Sequence, residues 1–232
     1  MHFPELSERV AEVRGRMADA ISRGGHGQEV RIVAVTKTHG PEAVEAAVAA
    51  GLEDVGENKV QEALRKQDAL RTRDAVSVKV HWHLIGHLQT NKAKSLTRFS
   101  LFHALDRDGL LDAVDAVGRR EGVPLDVLVQ VNVSGEGTKG GFEPSTLVAV
   151  AERLVRAEGL RVRGVMTMAP FEAGEPELRT VFAGARAARS VLLGAGLPAH
   201  ELSMGMSGDY EVAVEEGATI VRLGTVLFGA RG

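Results

Sequence analysis

Apolar and polar residues alternate along this chain in two rhythms. Short runs rich in Val, Ile and Leu predict strands at 31–36, 54–56, 80–86, 101–104, 126–133, 161–166, 201–204 and 219–223. Between them apolar residues recur every three or four positions. That spacing predicts helices over 41–50, 60–71, 91–97, 109–121, 144–158, 175–193 and 209–216, with a further amphipathic helix at 4–22 in front. Punctuation agrees with the periodicity. Pro41 and Pro144 sit in first turns, and Gly51, Gly122, Gly159, Gly194 and Gly217 follow last turns. Eight strands separated by seven helices is the count of a (β/α)8 TIM barrel, an α/β fold, here with an extra N-terminal helix. The runs are nearly continuous in apolar residues, as strands covered on both faces require. A doubly wound open sheet is the alternative, because strand order is not visible in sequence.

Composition narrows the classes. The chain has 232 residues, 44% of them hydrophobic, which suits one core and a single domain over 1–232. Its net charge is −3, so no basic field points to nucleic acid or a membrane surface. It has no cysteine, which excludes disulfides, thiolate catalysis and Cys-based zinc sites. The start, Met1 to Arg9, is charged and lacks an apolar signal core, and no apolar run is long enough to span a bilayer. The expected location is the cytoplasm.

In a barrel, chemistry belongs at the C-terminal strand ends. Lys37, Glu57, Asn58, His83 to His87, Asp106, Asn132, Met166 to Met168, Ser203 to Ser207 and Arg222 to Thr225 all fall at or just past predicted strand ends. A lysine there, facing a mouth rather than bulk water, can lose its proton and form a Schiff base with an aldehyde. Gly224 lets backbone N–H groups approach an anion, and Thr225 adds a hydroxyl. Ser207 precedes a predicted helix whose free N–H groups suit a phosphate, whereas Asp209 would repel one. An aldehyde-trapping amine beside a phosphate cradle suggests pyridoxal 5′-phosphate (PLP). Simple turn and helix capping is the other reading of these glycines and hydroxyls.

Arg222 is a charge inside an apolar strand and needs a partner. The pyridine nitrogen of PLP is one, and a carboxylate such as Glu57 is another. Against that nitrogen, arginine would keep it unprotonated and weaken the ring as an electron sink. His81 and His83 share one strand face, but no third or fourth metal ligand is evident, so no metal is expected. His83, near its strand end, is expected to line the pocket. The glycine-rich segment 134–142 lacks the order of a nucleotide P-loop and reads as a mobile loop over the mouth.

Several ordered motifs give a more specific reading. They are Ala34-Val-Thr-Lys-Thr38, Gly56-Glu-Asn58 with Val60-Gln-Glu62, and Trp82-His-Leu-Ile-Gly-His-Leu-Gln-Thr-Asn-Lys92. Val131-Asn-Val, Gly164-Val-Met-Thr-Met168, Leu202-Ser-Met-Gly-Met-Ser207, Val221-Arg-Leu-Gly-Thr225 and Phe228-Gly-Ala-Arg231 complete the set. With them the chain closely resembles the pyridoxal phosphate homeostasis proteins over almost its whole length. The family is similar to the N-terminal barrel of alanine racemase. The resemblance implies Lys37 as the Schiff-base lysine, Asn58, His83, Met204 and Arg222 around the ring, and Ser207, Gly224 and Thr225 on the phosphate. Lys59 and His39 are small departures outside the core of the pattern.

The resemblance also implies PLP carriage and homeostasis without established turnover, and apo PLP-dependent enzymes as recipients. The alternative is a racemase-like PLP enzyme. The only tyrosine, Tyr210, lies beside the phosphate helix, and the chain ends soon after the eighth strand, so a two-base racemase and a partner-completed site are not expected. A monomer is. A barrel for another phosphorylated metabolite is a third possibility. Lys139, in the glycine-rich loop, is a candidate transient PLP acceptor during transfer, or else a surface lysine.

Overall fold

A computed structural model describes residues 3–71, 80–136 and 140–229. Eight parallel strands close on themselves in sequence order: β1 (Arg31–Val35), β2 (Asp54–Glu57), β3 (His81–Leu84), β4 (Leu101–Leu105), β5 (Leu125–Gln130), β6 (Leu160–Met166), β7 (Glu201–Ser203) and β8 (Ile220–Leu223). Closure is made by β1 on β8, with Arg31 opposite Ile220 and Ala34 opposite Leu223. This decides between barrel and open sheet. The helices are α1 (Leu6–Gly24), α2 (Pro41–Ala49), α3 (Val60–Leu70), α4 (Asp108–Glu121), α5 (Leu147–Arg156), α6 (Glu175–Gly194), α7 (Tyr210–Glu215) and α8 (Thr225–Phe228). They wrap the strands, so most of the core lies between the barrel wall and this outer layer.

The periodic segments folded as their patterns require. On α1 the apolar face Leu6, Val10, Val13, Met17 and Ala20 is buried. Its polar edge carries Arg16 and Arg23, which pair with Glu211 and Glu215 of α7 and tie the extra helix to the barrel. Close packing explains one glycine. A Cβ at Gly164 would lie 1.9 Å from the Glu201 carbonyl oxygen on the neighbouring strand.

Four local details differ from the sequence expectation. Thr90–Arg98 is a 3-10 segment, whose only buried side chains are Ala93 and Leu96, a stripe too narrow to hold an amphipathic α-helix against the barrel. The 144–158 helix is divided into a 3-10 turn at Pro144–Thr146 and α5. The fifth strand stops at Gln130, because the chain then bonds to a returning loop: Phe142 N–H donates to the Gln130 carbonyl at 2.8 Å and Asn132 N–H to the Phe142 carbonyl at 3.0 Å. The short helix α8, directly after β8, has no counterpart in the expected pattern.

Candidate functional site

The C-terminal mouth of the barrel opens into a cavity of about 940 Å³. Lys37, Asn58, Ser207, Arg222, Gly224 and Thr225 all line it. Loops from both ends of the sequence therefore meet at one place, as a closed barrel demands.

Lys37 lies two residues past β1 and is half-buried. The next residue, Thr38, has φ +71°, a left-handed conformation that a β-branched residue adopts only under strain of about 1–3 kcal/mol. A buried network holds it. Thr38 N–H donates to Glu62 Oε1 at 2.6 Å, and Lys66 Nζ donates to the same oxygen at 3.1 Å. Lys66 also donates to the Thr36 carbonyl at 2.8 Å and to Glu57 Oε1 at 2.6 Å, while Thr36 Oγ1 donates to Glu57 Oε1 at 2.5 Å. Both sides of Lys37 are thus fixed by groups behind the cavity. Burial pushes the Glu57 carboxyl up, opposed by the Lys66 and Thr36 hydrogen bonds. Burial would also raise Glu62, but the Thr38 amide and Lys66 hold it below its usual range. Sequence reasoning placed Glu62 in a motif without a role at the site, and missed Lys66. The available signal was Lys66 among Val60, Ala63, Gln67 and Leu70, a charge on the buried face of α3.

On the other side of the mouth, Ser207 Oγ accepts from Gly224 N–H and Val226 N–H, each at 3.3 Å. Turned from Ser207 to a ligand, these amides and the Ser207 and Thr225 hydroxyls could hold an anion. Asp209 is occupied locally, with its Oδ1 accepting from Met206 N–H at 2.5 Å. Burial pushes its carboxyl up, opposed by that bond and by Arg222.

Arg222 enters the cavity from β8. Its Nη1 donates to the Ser203 carbonyl and to Ser203 Oγ, both at 2.8 Å, and its Nη2 to the Thr167 carbonyl at 3.0 Å. Burial lowers its pKa to about 10, opposed by Asp209. Among the described residues no carboxylate forms an ion pair with it, since Glu57 is taken by Lys66.

Two expected ring neighbours lie elsewhere. His83 points down the barrel interior, where its Nε2 meets Asp54 Oδ1 at 2.9 Å and its Nδ1 meets His103 Nε2 at 2.8 Å. It lines a smaller hollow at the opposite mouth, with Arg31, Asp54 and Asp126. Its place near the strand end in sequence was misleading, because an inward side chain of a tilted strand can reach the far layer. Met204 is fully buried in the core, and Met206 lines the cavity instead. The cavity also takes in the pair His87–Asp106, joined at 2.9 Å, whose carboxylate is held by Arg107 at 2.6 Å. Lys139 and Arg231 lie outside the described residues.

His103 is fully buried, and burial, then His83 and Arg222, hold its pKa well below the usual 6.5. A histidine kept neutral by folding contributes stability fully above its unfolded pKa and loses it as pH falls. Stability is therefore expected to fall as pH drops below 6.5, by up to about 1.4 kcal/mol per pH unit. Urea midpoints at about pH 7.5 and 5.5 measure this. A slope unchanged by His103→Gln would show that another group carries it.

One amine, two hydroxyls, converging amide N–H groups and a guanidinium suit a small anion bearing an aldehyde. The comparisons with known proteins agree with that chemistry. The family model described as "Alanine racemase, N-terminal domain" matches residues 16–232. A pyridoxal phosphate homeostasis protein of Aquifex aeolicus is 42% identical over 229 residues, covering 97% of each chain. The solved structure of PipY of Synechococcus elongatus with PLP bound superposes with a TM-score of 0.84 at 34% identity, covering 97% of this chain and 100% of that one. Alanine racemase of Corynebacterium glutamicum shares the fold at a TM-score of 0.72 and 14% identity, covering 99% of this chain and 62% of that one.

Proposed function

The chain belongs to the pyridoxal phosphate homeostasis protein family, and from that premise we propose that it holds PLP at the C-terminal barrel mouth as a Schiff base on Lys37. The observation that carries the reading is the single cavity shared by Lys37, Asn58, Ser207, Arg222, Gly224 and Thr225. Ser207, Thr225 and the Gly224 amide would hold the phosphate, and Arg222 and Asn58 would face the ring, Arg222 at its nitrogen. PLP supplies an aldehyde for an amine and a ring that can accept electrons. A guanidinium at the ring nitrogen donates a hydrogen bond without giving up its proton, which weakens that acceptance. Holding and releasing the cofactor is favoured over turnover. In this reading 1–232 acts as one domain and as a monomer in the cytoplasm, supplying PLP to apo-enzymes.

The racemase-like alternative has one observation in its favour, the His87–Asp106 pair in the same cavity, an arrangement suited to moving a proton. The separating experiment incubates the PLP-loaded protein with alanine or serine in deuterium oxide, and separately with an apo PLP enzyme. Recovery of apo-enzyme activity with no deuterium at the α-carbon is the expected result. Deuterium incorporation lost in His87→Ala would establish the enzyme reading instead.

A further inference from the structure

A file of buried hydrogen bonds runs through the barrel from the cavity to the opposite mouth. Arg222 Nη1 meets Ser203 Oγ at 2.8 Å, His103 Nδ1 meets the same Oγ at 2.9 Å, His83 Nδ1 meets His103 Nε2 at 2.8 Å, and His83 Nε2 meets Asp54 Oδ1 at 2.9 Å. Ser203, His103 and His83 are buried, and Asp54 sits at the far rim with Arg31 and His81 at 3.7 and 3.8 Å.

With one ring proton on each histidine, the Asp54 end fixes the direction of every proton. An arginine only donates, so Ser203 Oγ accepts from Arg222, which leaves its own hydrogen for an unprotonated His103 Nδ1. His103 then carries its proton on Nε2 and donates to His83 Nδ1. His83 carries its proton on Nε2 and donates to the Asp54 carboxylate. The reverse order would set an unprotonated His83 Nε2 against a carboxylate oxygen, two acceptors face to face. The neutral state that burial imposes on His103 agrees with this order.

We propose that Ser203, His103 and His83 are positioning residues that hold the Arg222 guanidinium for its ligand and couple the cavity to the Asp54 carboxylate at the opposite barrel mouth. The role of Arg222 towards a cofactor rests on the PLP reading above, but the proton order does not. Each link in such a file polarises the next, so losing the terminal charge weakens the hold on Arg222.

The test has a cofactor-free arm. Nitrogen-15 NMR of the protein without PLP is expected to show His103 neutral and protonated on Nε2, with a His83 proton on Nε2 towards Asp54. Asp54→Ala is expected to mix both tautomers and move the Arg222 guanidinium signals. Asp126→Ala removes a carboxylate from the same mouth but outside the file, and is expected to move neither. With PLP, the dissociation constant should rise about fivefold in Asp54→Ala and stay unchanged in Asp126→Ala. An Nδ1-protonated or charged His103, or Arg222 signals indifferent to Asp54, would overturn the proposal. Failure of the wild type to bind PLP would instead reject the cofactor reading, with the NMR arm still deciding the file.

Discussion

Lys37→Ala is expected to abolish covalent capture of PLP while leaving the fold intact. In the wild type, borohydride should reduce the Schiff base and fix PLP on the peptide bearing Lys37. The visible band of the protein-bound imine should be present in the wild type and absent from the variant. The effect is close to all-or-none, because an imine needs an amine and alanine offers none. Stability should change by less than about 1 kcal/mol, since the side chain is half-buried at a mouth rather than packed in the core. Ser207, Thr225 and Arg222 remain, so weak non-covalent PLP binding should survive. Peptide mapping reads the result directly. PLP fixed with equal yield in Lys37→Ala, or found on Lys139 alone, would sink the assignment.

The second large effect lies behind the site. Lys66→Met should destabilise the protein by about 3–5 kcal/mol, because it leaves the buried Glu57 carboxylate without its cation. It also removes the donor that holds Glu62 beneath the strained Thr38. The Lys37 turn should relax, and imine formation should slow even at temperatures where the variant is folded. Adding Glu57→Gln removes the orphaned charge and should restore much of the stability. It does not restore the grip on Glu62, so imine formation should stay slow in the double variant. Chemical denaturation and stopped-flow mixing with PLP separate the two effects. A Lys66→Met protein with wild-type stability would show that Glu57 takes up a proton in the variant at little cost.

The parts of the candidate site that could be read in the sequence were those carried by local chemistry. A lysine at the exit of an apolar strand, a Gly-Thr pair after the last strand and a serine before a helix all mark a mouth by residue type and position. The cavity gathers Lys37, Gly224, Thr225 and Ser207. His83 and Met204 were misplaced for a common reason. Sequence fixes where a residue falls along its strand, but not which layer of the barrel interior its side chain occupies. The Thr38–Glu62 contact and the Ser203–His103–His83 file were missed because their partners lie 20 or more residues apart, whereas Lys66 was missed although Glu57 and Glu62 lie within nine. His103 and Ser203 stand 100 residues apart.

Most of the element order, the apolar faces of the helices, the lack of cysteine and the strand ends that meet at the cavity could be read along the chain. Those features follow from periodicity and residue type, which act within a few residues. Closure of the eighth strand on the first, the cavity shared by Lys37 and Arg222 and the buried hydrogen bonds behind both became readable in the folded chain alone. Closure brings together residues nearly 200 positions apart. The direction of each inward side chain then follows from strand tilt and register, which are set by all eight strands together.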